Sequence, residues 1–222
     1  MKLRGAILRV LILLGLSASA PANVFWLQSV TASSVSGSGT QLIFPFTTGA
    51  TQGQHLVLHW DSFVVTVTSA QWGGRTFNMF GSSTNGTTNY TTSIGVLTNV
   101  SPNVSSNITI TGSATFSTTG VFATLSAYGG ASQTAAPFAT PVFFSSPNYS
   151  TSGIQGGVTT TTMGSAVLDN YAFYGNGGIT YTTATNSRTK YGPIGNSNAW
   201  ISLADILNTT PQFYVLDRKS VV

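Results

Sequence analysis

The sequence predicts an all-β protein, folded as a two-sheet antiparallel β-sandwich of jelly-roll type with an N-terminal strand on a flexible hinge. The first observation is the stretch His55–Phe80, in which apolar and polar residues alternate and a Gly73-Gly74 pair marks a tight turn. The second is the recurrence of short apolar segments bounded by Gly, Pro, Asn or Ser, which is typical of antiparallel strands. The third is the absence of a convincing helical period. We expect His55–Phe80 to form the centre of a sheet.

The predicted strands follow in order along the chain. Asn23–Val35 leads into a Gly/Ser-rich hinge, and Gln41–Phe46 contains Pro45, which has no N–H to donate and therefore belongs at a sheet edge or a bulge. The Pro-bearing segment Ala131–Pro147 predicts a crossing loop with one short strand at Val142–Phe144. Further strands are predicted at Asn89–Leu97, Asn107–Phe116, Val121–Tyr128, Ile154–Thr162, Ser165–Tyr174, Ile179–Thr183, Ala199–Leu207 and Gln212–Leu216.

The composition of the chain leaves few ions for its surface. Of its 222 residues 5% are charged, 11% are aromatic and 41% are hydrophobic, so we expect a packed core and not disorder. The net charge is +4, but Lys2, Arg4 and Arg9 lie near the N-terminus and the remaining chain is almost neutral. Nucleic-acid binding needs a clustered basic face, so we expect no nucleic-acid partner. The lack of cysteine excludes disulfides and thiolate metal sites.

Residues 1–22 have the pattern of a secretory signal peptide. A basic segment precedes the apolar run Val10–Leu16 and a row of small residues, and cleavage is expected after Ala22. The apolar run is shorter than the roughly 20 residues that span a bilayer. We expect a secreted or cell-surface protein that meets a membrane only through its leader, with an N-terminal strand and hinge over 23–40 and a β-sandwich domain over 41–222. A buried strand or an ordinary apolar helix is the alternative interpretation of the leader.

Three segments carry a resemblance to known proteins: Val67–Phe77 (VTSAQWGGRTF), Val121–Gly130 (VFATLSAYGG) and Met163–Phe173 (MGSAVLDNYAF). Together they resemble a broad group of extracellular β-sandwich domains in secreted bacterial and archaeal surface proteins. The resemblance covers Ser29–Leu207 and rests on turn and core positions, so it implies a fold and no catalytic residue. One such domain directly behind a signal peptide also resembles the subunits of extracellular filaments that polymerise by strand donation.

His55, His59 and Asp61 are spaced so that they share one face of a strand. Imidazoles four residues apart on a strand are separated by about 13 Å, which is too far for one metal ion. We interpret the three residues as polar groups on the solvated side of the sheet. The pair Asp169-Asn170 is a poor calcium site because such sites gather several carboxylates. With no Glu and no G-x-S-x-G motif, we expect no enzymatic activity and no cofactor.

Aromatic side chains in a Gly/Asn/Thr-rich region are candidates for stacking on neutral sugars. Tyr174, Tyr181 and Tyr191 meet this description. The four tryptophans are further candidates, although in a sandwich most such rings fill the core: Trp26, Trp60, Trp72 and Trp200.

The chain is rich in Asn-x-Ser/Thr sequons, which accept N-linked glycans in exported proteins. Most of them fall between Asn85 and Asn107, so that one region of the domain is expected to carry sugars. A plain polar β-surface is the alternative explanation. The sequon asparagines are Asn85, Asn89, Asn99, Asn103, Asn107, Asn148 and Asn208.

These features support three hypotheses about function. The first is an exported structural protein that forms an extracellular filament or surface assembly with copies of itself by β-strand donation. This hypothesis involves no cofactor. In it Asn23–Val35 completes the sheet of a neighbouring copy and buries Val24, Trp26 and Val30 at alternate positions. The contact residues are Val24, Trp26, Leu27 and Val30. The alternatives are a carbohydrate-binding or adhesive module, in which this segment pairs within its own domain, and a viral capsid or fibre protein.

Overall fold

In a strand, every second side chain points to the same side of the sheet, so alternating apolar residues give the strands of this protein one apolar face. The computed structural model describes residues 23–34, 39–63, 65–85, 90–116, 121–131, 154–159, 165–174, 188–195, 199–209 and 213–218. Over these residues the regular secondary structure consists of strands, with no helix. The all-β class predicted from the sequence is therefore confirmed.

The described residues before residue 132 form two antiparallel sheets. Their strands are β1 (Phe25–Ser34), β2 (Gln41–Thr47), β3 (Gln54–Phe63), β4 (Val67–Trp72), β5 (Arg75–Thr76), β6 (Asn78–Asn85), β7 (Tyr90–Val100), β8 (Ser105–Gly112) and β9 (Val121–Gly129). The five-stranded sheet has the order β1-β9-β3-β7-β6, and the four-stranded sheet has the order β2-β8-β4-β5. β3 lies at the centre of the five-stranded sheet, where the sequence predicts it.

The strand pairs of the two sheets are nested one inside another. β4 pairs with β5, β3 with β7, β2 with β8 and β1 with β9, so the early strands meet the later ones in reverse order. Successive strands from β1 to β4 also alternate between the two sheets. The stretch His55–Phe80 therefore supplies the centre of one sheet and the β4–β5 hairpin of the other.

Two local features of the four-stranded sheet agree with the sequence prediction. β2 is an edge strand, the position at which a proline, which lacks an N–H, is tolerated in a sheet. Gly73 and Gly74 form the turn between β4 and β5 with φ of 56° and 76°. Both values lie in the left-handed region that glycine adopts without steric cost, as two-residue hairpin turns require.

The two sheets pack face to face around one apolar core. Leu58 and Trp60 from β3 and Leu125 from β9 meet Ile108 and Ile110 from the facing β8, and all five are 0% exposed. Full burial of one such side chain contributes about 1.5–3 kcal/mol to folding. The described part of the chain therefore has the sandwich architecture predicted from the sequence.

Hydrogen bonds also tie the two sheets together at the ends of their strands. Thr48, which follows β2 and is 2% exposed, donates from Oγ1 to the carbonyl of Ser101 at 2.8 Å and accepts from the N–H of Val104 at 2.9 Å. Arg75 of β5 donates to the carbonyls of Thr98 and Asn99 on β7 at 2.7 and 3.1 Å. The guanidinium of Arg75 thus joins a strand of one sheet to a strand of the other.

The described residues after 153 form five further strands. They are β10 (Ile154–Thr159), β11 (Ser165–Tyr174), β12 (Arg188–Gly195), β13 (Ala199–Thr209) and β14 (Phe213–Arg218). β10 pairs with β14, and β13 lies between β11 and β12 in a three-stranded sheet. Leu168 of β11 packs against Val57 and Tyr128 on the outer face of the five-stranded sheet, and β13 contacts β9. The sandwich therefore has a third layer on this face.

The strand predicted at Asn107–Phe116 ends earlier than expected, at Gly112. A Cβ added to Gly112 would lie 2.7 Å from Val65 and 2.8 Å from Phe116, so a side chain does not fit there. Beyond this glycine the N–H of Phe116 donates to the carbonyl of Gly39 at 3.0 Å, and its ring is buried in the core. The chain turns over the core in place of continuing the strand.

The sequence predicts β6 only as far as Phe80 and does not predict β12. Both strands lack an apolar alternation, and β12 contains Pro193 as well as two glycines. The leader at 1–22 and the strands predicted at Val142–Phe144 and Ile179–Thr183 lie outside the described residues.

Candidate functional site

β1 is the strand for which the sequence predicts a contact role. It lies at an edge of the five-stranded sheet and pairs antiparallel with β9 of its own chain, from Phe25 opposite Gly129 to Ser34 opposite Val121. The pairing within one chain is the arrangement that a free subunit and a monomeric module have in common. What distinguishes them is how β1 is held.

A β-bulge divides β1 into two parts with different orientations. The register with β9 shifts between Trp26 and Gln28, so Leu27 is the extra residue of the bulge. Val24 and Trp26 consequently pack on the outer face of the sheet, whereas Leu27 and Val30 pack on the sandwich core. In the pairing within the chain, Val24, Trp26 and Val30 do not share one face, because the bulge reverses the alternation between them.

β1 is much less buried than the strand it covers. All nine residues of β9 are buried, with Leu125 and Ala127 at 0% exposure. The residues of β1 whose side chains the structure describes are half-buried or exposed, and Phe25 is 43% exposed. The displacement of β1 would therefore uncover apolar surface of β9 that is fully buried in the folded chain.

Two glycines at the end of β9 make room for the start of β1. A Cβ added to Gly129 would lie 2.5 Å from the ring of Phe25, and one added to Gly130 would collide with the carbonyl of Asn23. Gly130 also has a φ of 72°, which disfavours any other residue. A side chain at Gly129 would displace the ring of Phe25, whereas one at Gly130 would collide with the backbone at the start of β1, whichever chain supplies that strand.

A short polar chain connects β1 to β9 on the outer face. The Nε1 of Trp26 donates to Oγ of Ser29 at 2.7 Å, and Ser29 Oγ lies 2.7 Å from Ser126 Oγ of β9. On the other side of the strand the amide of Gln28 donates to the carbonyl of Thr47. These bonds fix the register of β1 in addition to the backbone ladder.

His55, His59 and Asp61 lie on one face of β3, as their spacing predicts, but that face is not solvated. Their exposures are 1%, 2% and 0%. The expectation of a solvent-facing polar row is wrong because the third layer, with Leu168 of β11, packs against the outer face of the five-stranded sheet. The two-residue period of a strand predicts which side chains share a face, but it does not predict what packs against that face.

Burial determines the charge state of His59. It lowers the pKa of His59 from 6.5 to about 3, because an imidazolium loses its hydration inside the protein. Within the described residues, Nε2 of His59 and Oγ1 of Thr124, directly opposite on β9, have no hydrogen-bond partner. His59 is therefore neutral at physiological pH and shielded from solvent.

The described residues also contain no group of three or more His, Cys, Asp or Glu that would hold a metal ion.

Three of the sequon asparagines are exposed where the structure describes their side chains. Asn99 near the end of β7 and Asn103 in the β7–β8 turn have φ of 50° and 55°, and Asn107 lies on β8. Asn85 lies on β6 and Asn208 on β13, but the structure describes only their backbone. Asn89 and Asn148 lie wholly outside the described residues.

The proposed sugar-stacking tyrosines are described only in part. Tyr174 lies on β11 and Tyr191 on β12, each paired with β13, but their side chains and the whole of Tyr181 fall outside the described residues. Stacking by these rings stays a prediction. Trp60 and Trp72 are 0% and 3% exposed in the sandwich core, so these two do not form a sugar platform.

The features that hold β1 in place were not predicted from the sequence. The Leu27 bulge leaves no mark in an apolar run such as Val24–Leu27, whereas the pair Gly129-Gly130 at the end of β9 was a visible signal of close backbone approach.

Over the described residues, no helix has the length and apolar character needed to cross a membrane. No protein-family model, no curated protein and no solved structure matches the chain.

Proposed function

We propose that the protein is an exported structural subunit that assembles with copies of itself into an extracellular filament or surface lattice by exchanging β1. The observation that carries the proposal is the position of β1. It is an edge strand, it covers the fully buried β9, and a Gly/Ser-rich segment connects it to β2. In the assembly β1 leaves β9 of its own chain and occupies the same place on β9 of a neighbour.

Exchange of β1 leaves its contacts almost unchanged. The ladder with β9, the packing of Val30 on the core and the approach of Phe25 to Gly129 are made with β9 whichever chain supplies the strand. Domain swapping is therefore a low-cost route to assembly.

Export, glycosylation and topology complete the proposal. The leader pattern of residues 1–22 supports export, and the exposure of Asn99, Asn103 and Asn107 supports N-linked glycans around the β7–β8 turn. The nested strand pairs support a jelly-roll topology for β1–β9. Glycans and hydroxyl side chains would then keep a surface with few ions hydrated.

A second candidate is a monomeric carbohydrate-binding or adhesive module. The pairing of β1 within its own chain is the arrangement that such a module requires, and jelly rolls are common among lectin domains. Viral capsid proteins also use this fold, so the shape of any assembly is informative. Filaments support strand exchange, closed shells support the capsid alternative, and a protein that stays monomeric supports the module.

Engineered disulfides identify the chain that supplies β1. The protein has no cysteine, and Ser29 Oγ lies 2.7 Å from Ser126 Oγ, so the double variant Ser29→Cys/Ser126→Cys would link β1 to whichever β9 it covers. For exchanged strands we expect covalent oligomers on non-reducing gels, increasing with protein concentration during folding. Cross-linked monomers alone, at every concentration, would overturn the proposal.

A matched pair of glycine variants controls the cross-linking experiment. Gly130→Val places a Cβ against the backbone carbonyl of Asn23 and should weaken the cross-link within and between chains. Gly49→Val is the control, because a Cβ there meets only the Gln54 side chain at 3.9 Å, and it should cross-link like the parent.

A further inference from the structure

The second edge of the five-stranded sheet is β6. It pairs with β7 on one side, and no other strand in the described part of the chain pairs with its opposite edge. An open edge presents a row of backbone N–H and C=O groups that is able to pair with another strand. β6 is thus a second place, distant in the sheet from β1, at which a partner can add to the protein.

Proteins usually protect their sheet edges with charge, proline, very short strands or bulges, and β6 has only the last of these. In the four-stranded sheet β2 carries Pro45 and β5 is two residues long. β6 has eight residues, NMFGSSTN, without a charge or a proline. Its one irregularity is a bulge between Met79 and Gly81, which leaves a regular ladder over Gly81–Asn85.

The direction of the strands selects the partner of this edge. Neighbouring strands in the sheet are all antiparallel, so in an order of five β1 and β6 run the same way. Addition of β6 to the free edge of β1 in an equally oriented copy would give a parallel pair. Two β6 strands related by a two-fold axis give an antiparallel pair, which is slightly more stable per residue.

We propose that two copies of this chain pair through Gly81–Asn85 of β6 in an antiparallel, two-fold symmetric contact. Centred on Ser83, the pairing sets Ser82 of one copy opposite Thr84 of the other and Gly81 opposite Asn85. A two-fold contact sets the strand against a second copy of itself, so a strand of like charges would repel its partner. β6 is neutral and tolerates this arrangement.

This contact is independent of the proposed exchange of β1 and goes beyond it. A subunit with a single two-fold contact forms closed dimers, whereas a subunit with two different contacts propagates a chain of copies. Reciprocal exchange of β1 at one edge and pairing of β6 at the other would supply the two contacts. Without exchange, the β6 contact alone yields a dimer.

Charge-swapped variants test the β6 contact in protein made in a host without N-glycosylation, so that the sequon at Asn85 stays bare. Ser82→Lys/Thr84→Lys and Ser82→Glu/Thr84→Glu each set like charges opposite one another and should weaken dimerisation at least about tenfold. A mixture of the two variants sets opposite charges together and should restore the dimer in analytical ultracentrifugation. Dimers of either variant with the dissociation constant of the parent would overturn the proposal, as would a monomeric parent at about 100 μM.

Hydrogen exchange supplies a readout that needs no change at β6. The amides of Gly81–Asn85 that are not bonded to β7 should exchange more slowly in concentrated than in dilute protein, and unchanged rates would contradict the contact. The monomer cross-linked through Ser29→Cys/Ser126→Cys, with β1 held on its own β9, should still dimerise. Persistence of this dimer separates failure of strand exchange from failure of the β6 contact.

Discussion

The outer faces of the two sheets have a similar sequence pattern and opposite environments. On β2 every second residue is exposed, with Ile43 at 53%, whereas along β3 every residue whose side chain is described is buried. The difference arises because the third layer packs against the outer face of the five-stranded sheet. Polar residues at alternate positions are therefore insufficient evidence for a solvated face.

The first prediction compares a large apolar residue on each outer face. Phe122 of β9 is 1% exposed, and Phe122→Ala should lower the free energy of unfolding by about 3–5 kcal/mol. Ile43→Ala on the exposed face of β2 should change it by no more than about 0.5 kcal/mol. Urea unfolding followed by circular dichroism measures both, and equal small effects would mean that Phe122 is not buried in solution.

The second prediction concerns acid stability. Burial lowers the pKa of His59 to about 3. The His59 imidazole is therefore protonated near pH 6.5 in the unfolded chain but only near pH 3 in the folded chain. The contribution of neutral His59 is thus complete above pH 6.5 and is lost as the pH falls towards 3. Between pH 7 and 4.5 the parent should lose about 2–3 kcal/mol more than His59→Gln, at up to about 1.4 kcal/mol per pH unit.

A histidine introduced on the other outer face is the control for this pH dependence. Gln71 of β4 is exposed, so Gln71→His places a titrating group in water in both the folded and the unfolded state. It should add no further loss of stability in acid. Parallel pH profiles for the parent and His59→Gln would show that His59 is hydrated in the folded protein.

The third prediction has the smallest effect and concerns hydroxyl groups. Thr124 is 0% exposed and its Oγ1 has no hydrogen-bond partner among the described residues, so Thr124→Val should raise the free energy of unfolding by about 1 kcal/mol. Thr109→Val on the outer face of β8, where the hydroxyl is partly hydrated, should stay within about 0.5 kcal/mol. A loss of stability on Thr124→Val would reveal a partner, such as a buried water molecule.

Much of the sandwich was predictable from the sequence because its signals are local. The alternation in β2, the edge position of Pro45 and the Gly73-Gly74 turn depend on residues that are close in the chain. The same holds for the central place of β3, whose apolar run Leu56–Trp60 is unusually dense.

The features that the sequence did not predict depend on contacts between distant residues. The Leu27 bulge lies next to the close approach of Phe25 to Gly129, which is about a hundred residues away in the chain. The burial of His59 depends on strands that follow more than a hundred residues later. β6 and β12 acquire their extended form from pairing with β7 and β13, not from their own apolar content. None of these causes is visible in a short window of sequence.

The nesting of the strand pairs has a consequence for the order of folding. The β4–β5 hairpin closes a turn of two residues, whereas Ser29 and Ser126, which join β1 to β9, are 97 residues apart. Closure of long loops costs more entropy and slows folding, so β1 should reach β9 last. Until then β9 of every nascent copy is open to β1 of any neighbour. The extent of exchange would accordingly be decided by crowding of the chains while they fold, and less by the affinity of finished subunits.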